Sequence, residues 1–289
     1  MLIDAATRLA RARQRPCLLF IVPELNHACV RTLRETTRQT QSPAVDLLLH
    51  CPGGNIHAAY LAARELKRRF ERVAAFVPLS AKSAATMLCL IADEVVLGGL
   101  GELGPLDGQN QPLELADSSA DRSGLIPFKS LEQLNDATGA MYEALVNRFV
   151  HSVHMKASDA FSRAVELTSA VFGPLYAQIS PTVLAESARG LDLALEHAVR
   201  LLRRYRPPMP EPARYRLVRR LINAYPCHCF PLDHEELEEL GLPVRRPEPT
   251  EDAILEMVAT ILVDPPSEPV IRLVNGEAGS GSGEDKSEA

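Results

Sequence analysis

The stretch "LLLHCPGGNIHAAYLAARELKRRF", Leu47–Phe70, opens as a continuous apolar run, breaks on Pro52-Gly53-Gly54, and resumes with apolar residues at helical spacing. That order spells a buried strand, a tight turn and an amphipathic helix. Two glycines where a strand meets a helix let backbone N–H groups approach something that a Cβ would hold off. The helix N-terminus places a partial positive charge at the same point. The stretch is therefore read as one wall of a site for an anion or a developing oxyanion.

The same alternation continues on both sides. Residues 2–14 form a helix that Pro16 stops, and "CLLFIVPE" (Cys17–Glu24) is a short buried strand. A helical pattern over 26–40 ends before Pro43, and "AVDLLLH" (Ala44–His50) is the second strand. After Phe70 come a third strand, "RVAAFVPL" (Arg72–Leu79), a short apolar helix, "SAATMLCLIA" (Ser83–Ala92), and a fourth strand, "EVVLG" (Glu94–Gly98). Apolar runs that are continuous rather than alternating mark strands covered on both faces. The expected class is α/β: a mostly parallel sheet with βαβ units covered by helices.

Residues 98–127 are rich in Gly, Pro and Asp without helical period, and a loop of that length is expected to be functional or mobile. The pattern is helical from 130 to about 204, interrupted near Gly173-Pro174 and Ser180-Pro181. A hinge at Pro207, Pro208, Pro210 and Pro212 precedes a helix over 214–224, a short helix between Asp233 and Gly241, and a last one over 251–263. The expected organisation is an α/β core with helical extension (1–206), a C-terminal helical segment packing on it (207–274), and a disordered Gly/Ser/acidic tail (275–289).

A net charge of −6 argues against a nucleic-acid partner, because phosphate neutralisation needs clustered Lys and Arg. The basic runs Lys67-Arg68-Arg69 and Arg203-Arg204 read as solvated helix flanks. The six cysteines lack zinc spacing; Cys227-His228-Cys229 is too tight for a knuckle, so no metal is expected. Thiols in apolar surroundings fit a reducing compartment. Neither an apolar leader nor a run of roughly 18 apolar residues is present, so no membrane partner and a cytoplasmic location are expected.

Two turns share the order strand, turn, helix N-terminus: Cys51–Gly54, and Pro78–Thr86, where Ser83 opens a helix of small residues. In an open α/β sheet both lie at the carboxyl ends of strands, where ligand crevices form. A serine facing a Gly-Gly turn suits acyl transfer. Its hydroxyl attacks, and the amides of Gly53 and Ala84 hold the oxyanion.

These motifs are recognisable together. "LLLHCPGGNIHAA", "VPLSAKSAATMLCLIADEVVLGGLGELGPLDGQ" and "HCFPLDHEELEELGLPV" resemble the serine dehydrogenase proteinase family, a branch of the Clp-protease/crotonase superfamily akin to signal peptide peptidase A. The resemblance spans about residues 17–245 and implies a Clp-protease/crotonase-like fold with Ser83 on the nucleophile and Gly53 and Ala84 on the oxyanion-hole amides. Against the family pattern, Cys51 stands for Thr, Lys82 for Met, Ala85 for Gly and Gly108 for Pro.

The resemblance offers His-Asp or lysine as the base. "GGLGELGPLDGQ" contains no histidine, which argues against a Ser-His-Asp triad, and the likeness to signal peptide peptidase A implies a Ser-Lys dyad. Lys129 follows the long loop, and Leu125, Ile126, Pro127 and Phe128 are expected to desolvate it as a general base requires. Lys82, Lys156 and His228 are the competitors. Lys82 adjoins Ser83 at a turn where neighbours point apart, Lys156 reads as a helix-face lysine, and His228 as structural. Asp93 and Glu94 fit turn roles better than paired-carboxylate chemistry, Asp107 shapes the loop, and His50 is given no role.

The expected function is a cytoplasmic serine peptidase working through an acyl-enzyme on Ser83, without cofactor. An extended peptide or protein substrate pairs its main chain beside the Gly-Gly turn, which makes Gly54 substrate-binding. Two alternatives are a catalytically weak Clp-like scaffold acting with a partner protein, and enoyl-CoA chemistry on the same fold. Superfamily resemblance also implies a homo-oligomer.

Overall fold

The computed structural model describes residues 1–108 and 123–276, so nearly half of the long loop and nearly all of the tail read from sequence lie outside the described residues. In chain order the first elements are α1 (Leu2–Arg13), β1 (Cys17–Ile21), α2 (His27–Thr37), β2 (Ala44–His50), α3 (Ile56–Arg69) and β3 (Arg72–Val77). Next come β4 (Ser80–Ala81), a 3-10 turn over Ser83–Ala85, α4 (Thr86–Leu90), β5 (Glu94–Leu97) and β6 (Glu102–Leu103). Helices α5 (Ile126–Asn147), α6 (Ala157–Tyr176), α7 (Pro181–Tyr205), α8 (Glu211–Asn223) and α9 (His234–Glu239) follow. The last elements are β7 (Val244–Arg245), α10 (Pro249–Leu262) and β8 (Val270–Val274).

The mostly parallel α/β sheet expected from the apolar runs is what the chain builds. Among the described residues six strands lie in the order β7-β5-β3-β2-β1-β8, all parallel except β8, which runs antiparallel to β1. Strand side chains alternate between faces. Cys17, Leu19 and Ile21 of β1, with Leu48, Phe76 and Val96, pack against Leu9 of α1 and Ile254, Leu255 and Val258 of α10. Leu18, Phe20, Leu47 and Leu49 face the other way and are equally buried, which is why these strands carry no polar alternation.

The chain forms two compact units, one from Met1–Leu106 with the chain from Ala194 onward, the other from Asp107–Leu193. The C-terminal region returns to the first unit because β7, α10 and β8 complete its sheet and cover. His197 in α7 also shares a 2.9 Å hydrogen bond with His57 of α3 and stacks on Tyr60. In the second unit α5 and α6 are tied by Tyr176, whose hydroxyl donates to Asn135 at 2.8 Å.

Several boundaries differ from the sequence reading. Helix α5 begins at Ile126 with Pro127 in its first turn, where the missing N–H is no loss. Helix α6 runs through Pro174 rather than breaking at Gly173-Pro174. Helix α8 starts inside the expected hinge, again with a proline in its first turn.

Candidate active site

At the carboxyl end of β2 the strand changes partner. Through Leu48 it pairs with β3, but Cys51 bridges to Ala81, with Cys51 N–H donating to Ser80 O at 3.0 Å and Lys82 N–H to Cys51 O at 2.9 Å. That switch carries residues 80–83 across the Pro-Gly-Gly bend. A Cβ built on Gly53 would sit 3.0 Å from Ser83 Cβ and 3.5 Å from Ser83 Oγ, so the bend lies directly against the serine side chain. Gly53 has φ +137, a conformation L side chains avoid.

Ser83 itself has φ +52, one of three non-glycine residues with positive φ among those described. Such a conformation costs about 1–3 kcal/mol and survives only where the surroundings impose it. The turn that imposes it is pinned by Thr86, fully buried, whose Oγ1 lies 3.0 Å from Ala81 O and 2.8 Å from Gly104 O and accepts from Gly104 N–H at 3.3 Å. A strained serine on a sharp turn from strand into helix is the geometry of a nucleophile elbow.

The amides around it differ in their engagement. The Ala84 N–H, in the 3-10 turn, meets no acceptor among the described residues. The Gly53 N–H points at Cys51 Sγ, 3.4 Å away, while that thiol donates to Gly53 O at 3.1 Å. Burial pushes the Cys51 thiol up to about 12, so it stays neutral and is a weak acceptor that a negatively charged oxygen would displace. Gly54 answers a different need. A Cβ there would lie 2.4 Å from Leu25 O and 2.5 Å from Leu25 N, because Leu25 pairs with the bend, donating to Gly53 O at 2.8 Å and accepting from Asn55 N–H at 2.7 Å. Asn55 then caps α3 by accepting from Ala58 N–H at 3.0 Å.

Of the residues read from sequence, Ser83, Gly53 and Ala84 are thus brought together. Lys129 belongs to the second unit, in the first turn of α5, and its side chain is exposed. The desolvation expected from its apolar neighbours is not provided by them. Lys82 is already engaged: its Nζ pairs with Glu102 at 2.6 Å and donates to Cys229 O at 2.8 Å, while its stem packs over Gly104. Lys156 is exposed at the start of α6, and His228 is buried. His50 is buried with Nδ1 3.4 Å from Ser80 Oγ, and burial holds its pKa below the ordinary histidine value.

Asp93 binds Lys67 at 2.7 Å and Val73 N–H at 2.8 Å, and Glu94 pairs with Arg13 and Arg245, so both carboxylates have structural partners. The substituted Ala85 has φ −69, an ordinary conformation that its Cβ does not disturb. Gly108 has φ +47, which the proline of the family pattern cannot adopt. Sequence reasoning passed over Thr86 and Glu102; the signal for the first was its place in the "SAAT" motif. Among the described residues no group of three or more His, Cys, Asp or Glu is placed to hold a metal, and no helix is long and apolar enough to cross a membrane.

Residues 14–122 match the family of ClpP-like SDH-type serine proteinases, the family to which the motifs pointed. Two uncharacterized proteins of Methanocaldococcus jannaschii, MJ0137 and MJ1495, are 32% and 30% identical to the chain over 94 residues, which is 32% of this chain. That stretch covers 32% and 31% of their respective lengths, so the match spans about a third of each relative.

Proposed function

We propose, from the ClpP-like serine proteinase domain carried by residues 14–122, that this chain hydrolyses peptide bonds in the cytoplasm through an acyl-enzyme on Ser83. The observation that carries the reading is the positive φ of Ser83 together with the contact of its side chain with Gly53. In this mechanism Ser83 Oγ attacks the scissile carbonyl and its proton passes to the general base. The Gly53 and Ala84 amides hold the oxyanion, the amine leaves with the proton, and water releases the acyl group. An extended substrate pairs its main chain beside Gly54, and no cofactor takes part.

Lys129 is the base in this reading. Its exposed ammonium requires that bound substrate, or a neighbouring subunit of the homo-oligomer, supply the desolvation. That exposure also supports a second reading, a catalytically weak Clp-like scaffold that works with a partner protein. A fluorophosphonate probe separates the two. Labelling that Ser83→Ala abolishes and Lys129→Ala slows at least about 100-fold supports the peptidase. Absence of labelling in the wild type supports the scaffold, and labelling that persists in Ser83→Ala removes the nucleophile.

A further inference from the structure

Four of the six cysteines are buried, whereas Cys227 is partly exposed and Cys229 exposed. Their sulfurs lie 2.9 Å apart on either side of His228, less than an ångström beyond the ~2.05 Å of a disulfide bond. The fold holds this pair together. Tyr225 stacks on Phe230 with centroids 5.2 Å apart and donates its hydroxyl to Glu236, and Leu232 pairs with Leu103 of β6. A further tie reaches the serine turn: Lys82, the residue before Ser83, donates from Nζ to Cys229 O at 2.8 Å.

We propose that Cys227 and Cys229 form a reversible dithiol–disulfide couple, and that its state sets how Lys82 is held beside Ser83. The couple and its effect on Lys82 stand on their own; only the consequence for Ser83 rests on the proposed peptidase.

The oxidant is a peroxide. The more exposed Cys229 attacks the peroxide O–O bond as its thiolate, giving a sulfenic acid and one water from hydrogen peroxide. The Cys227 sulfur then attacks the sulfenic sulfur; the S–S bond forms, the S–O bond breaks, and a second water leaves. Two electrons pass from the two sulfurs to one peroxide, and both thiol protons end in water. A small dithiol such as dithiothreitol reverses the step. Closing a ring over residues 227–229 tightens the turn, moves the Cys229 carbonyl and loosens Lys82.

The test uses the full chain treated with hydrogen peroxide. Mass spectrometry is expected to find the loss of two hydrogens in the peptide containing residues 227–229, restored by dithiothreitol and absent in Cys227→Ser. Oxidation that stops at sulfenic or sulfinic acid, or a closed peptide that dithiothreitol does not reopen, overturns the couple. Acylation of the Lys82 amine by an N-hydroxysuccinimide ester, followed by mass, is expected to run at least about five-fold faster in the oxidised protein and to be redox-independent in Cys227→Ser. Equal rates in both states overturn the link to Lys82. Fluorophosphonate labelling of Ser83 is expected to change with redox state in the wild type and not in Lys82→Met. Labelling that ignores redox state overturns the consequence for Ser83. Absence of labelling in either state counts against the peptidase alone, since the mass and acylation readouts still decide the couple.

Discussion

Replacing Arg13 by Met should cost the protein about 3 kcal/mol at pH 8, the lower end of what breaking a buried ion pair costs. The guanidinium, at the end of α1, pairs with Asp46 at 3.2 Å, Glu94 at 2.9 Å and Glu251 at 3.1 Å, and lies 5.2 Å from the centroid of the Phe76 ring. Arg245 holds Glu94 and Glu251 from the other side, the latter at 2.7 Å. Once Arg13 is gone, those two glutamates keep a partner. Asp46 does not fare as well: its side chain is 0% exposed and its other cation is Arg15, at 3.5 Å. Methionine preserves most of the apolar stem, so the loss isolates the charge. For a unit of this size the midpoint should fall by roughly 6–12 °C.

Burial pushes the Asp46 carboxyl up to about 6 despite Arg13 and Arg15, so at pH 5 it holds its proton and the penalty should shrink. Urea unfolding of wild type, Arg13→Met and Arg13→Met/Asp46→Asn at both pH values measures this. The double variant should recover most of the loss at pH 8. A loss under about 0.5 kcal/mol, or no recovery in the double variant, would refute the picture of a buried charge stranded by its partner's removal.

Asp46 also sets a pH signature of its own. A carboxyl whose folded pKa is raised contributes stability that is complete below its unfolded value and is lost as pH rises through about 6. Asp46→Asn should therefore flatten the decline in melting temperature between about pH 4 and 6, and an unchanged slope would contradict it. Glu94 and Glu251 act oppositely: burial pushes them up, but hydrogen bonds from Arg245 leave both below the ordinary glutamate value. Their contribution is present at neutral pH and lost as acid carries the protein through those lowered values. Both Gly53→Ala and Gly54→Ala strain a positive-φ site, but Gly54→Ala should cost more stability because its Cβ meets Leu25 backbone that cannot yield, whereas Gly53→Ala, whose Cβ meets the Ser83 side chain, should slow Ser83 labelling about 100-fold or more. Equal melting temperatures for the two alanine variants would contradict this ordering. Thr86→Val removes a buried hydroxyl with three backbone neighbours and should cost about 1–3 kcal/mol, with probe reactivity at Ser83 falling as well; thermal unfolding and labelling rates check both.

Sequence made the first three long strands and their helices legible because each is a continuous apolar run bounded by proline or glycine. It also brought Ser83, Gly53 and Ala84 to one place, since both turns end parallel strands. Strands β4, β6 and β7 are two residues each, too short for any period to register, yet β4 and β6 are what swing Ser83 over the bend. The strain at Ser83 could not be read from residue types, because serine has no special claim to positive φ. Lys129 was misjudged on its surroundings for a physical reason: apolar neighbours in sequence do not enclose a side chain that a helix turns outward. Glu102 was overlooked because its pairing with Lys82 depends on β6 lying beside β4.

Strand β8 has a consequence for handling the molecule. It is the sheet's antiparallel border and the hydrogen-bonding neighbour of β1, all five residues of which are buried. A protease cut in the exposed link between α10 and β8, or a shortened clone ending there, would strip that neighbour away and leave a greasy, unpaired ribbon looking for another chain. Preparations that turn cloudy on storage should therefore be checked for clipping near residues 263–269 before the Ser83 turn is blamed.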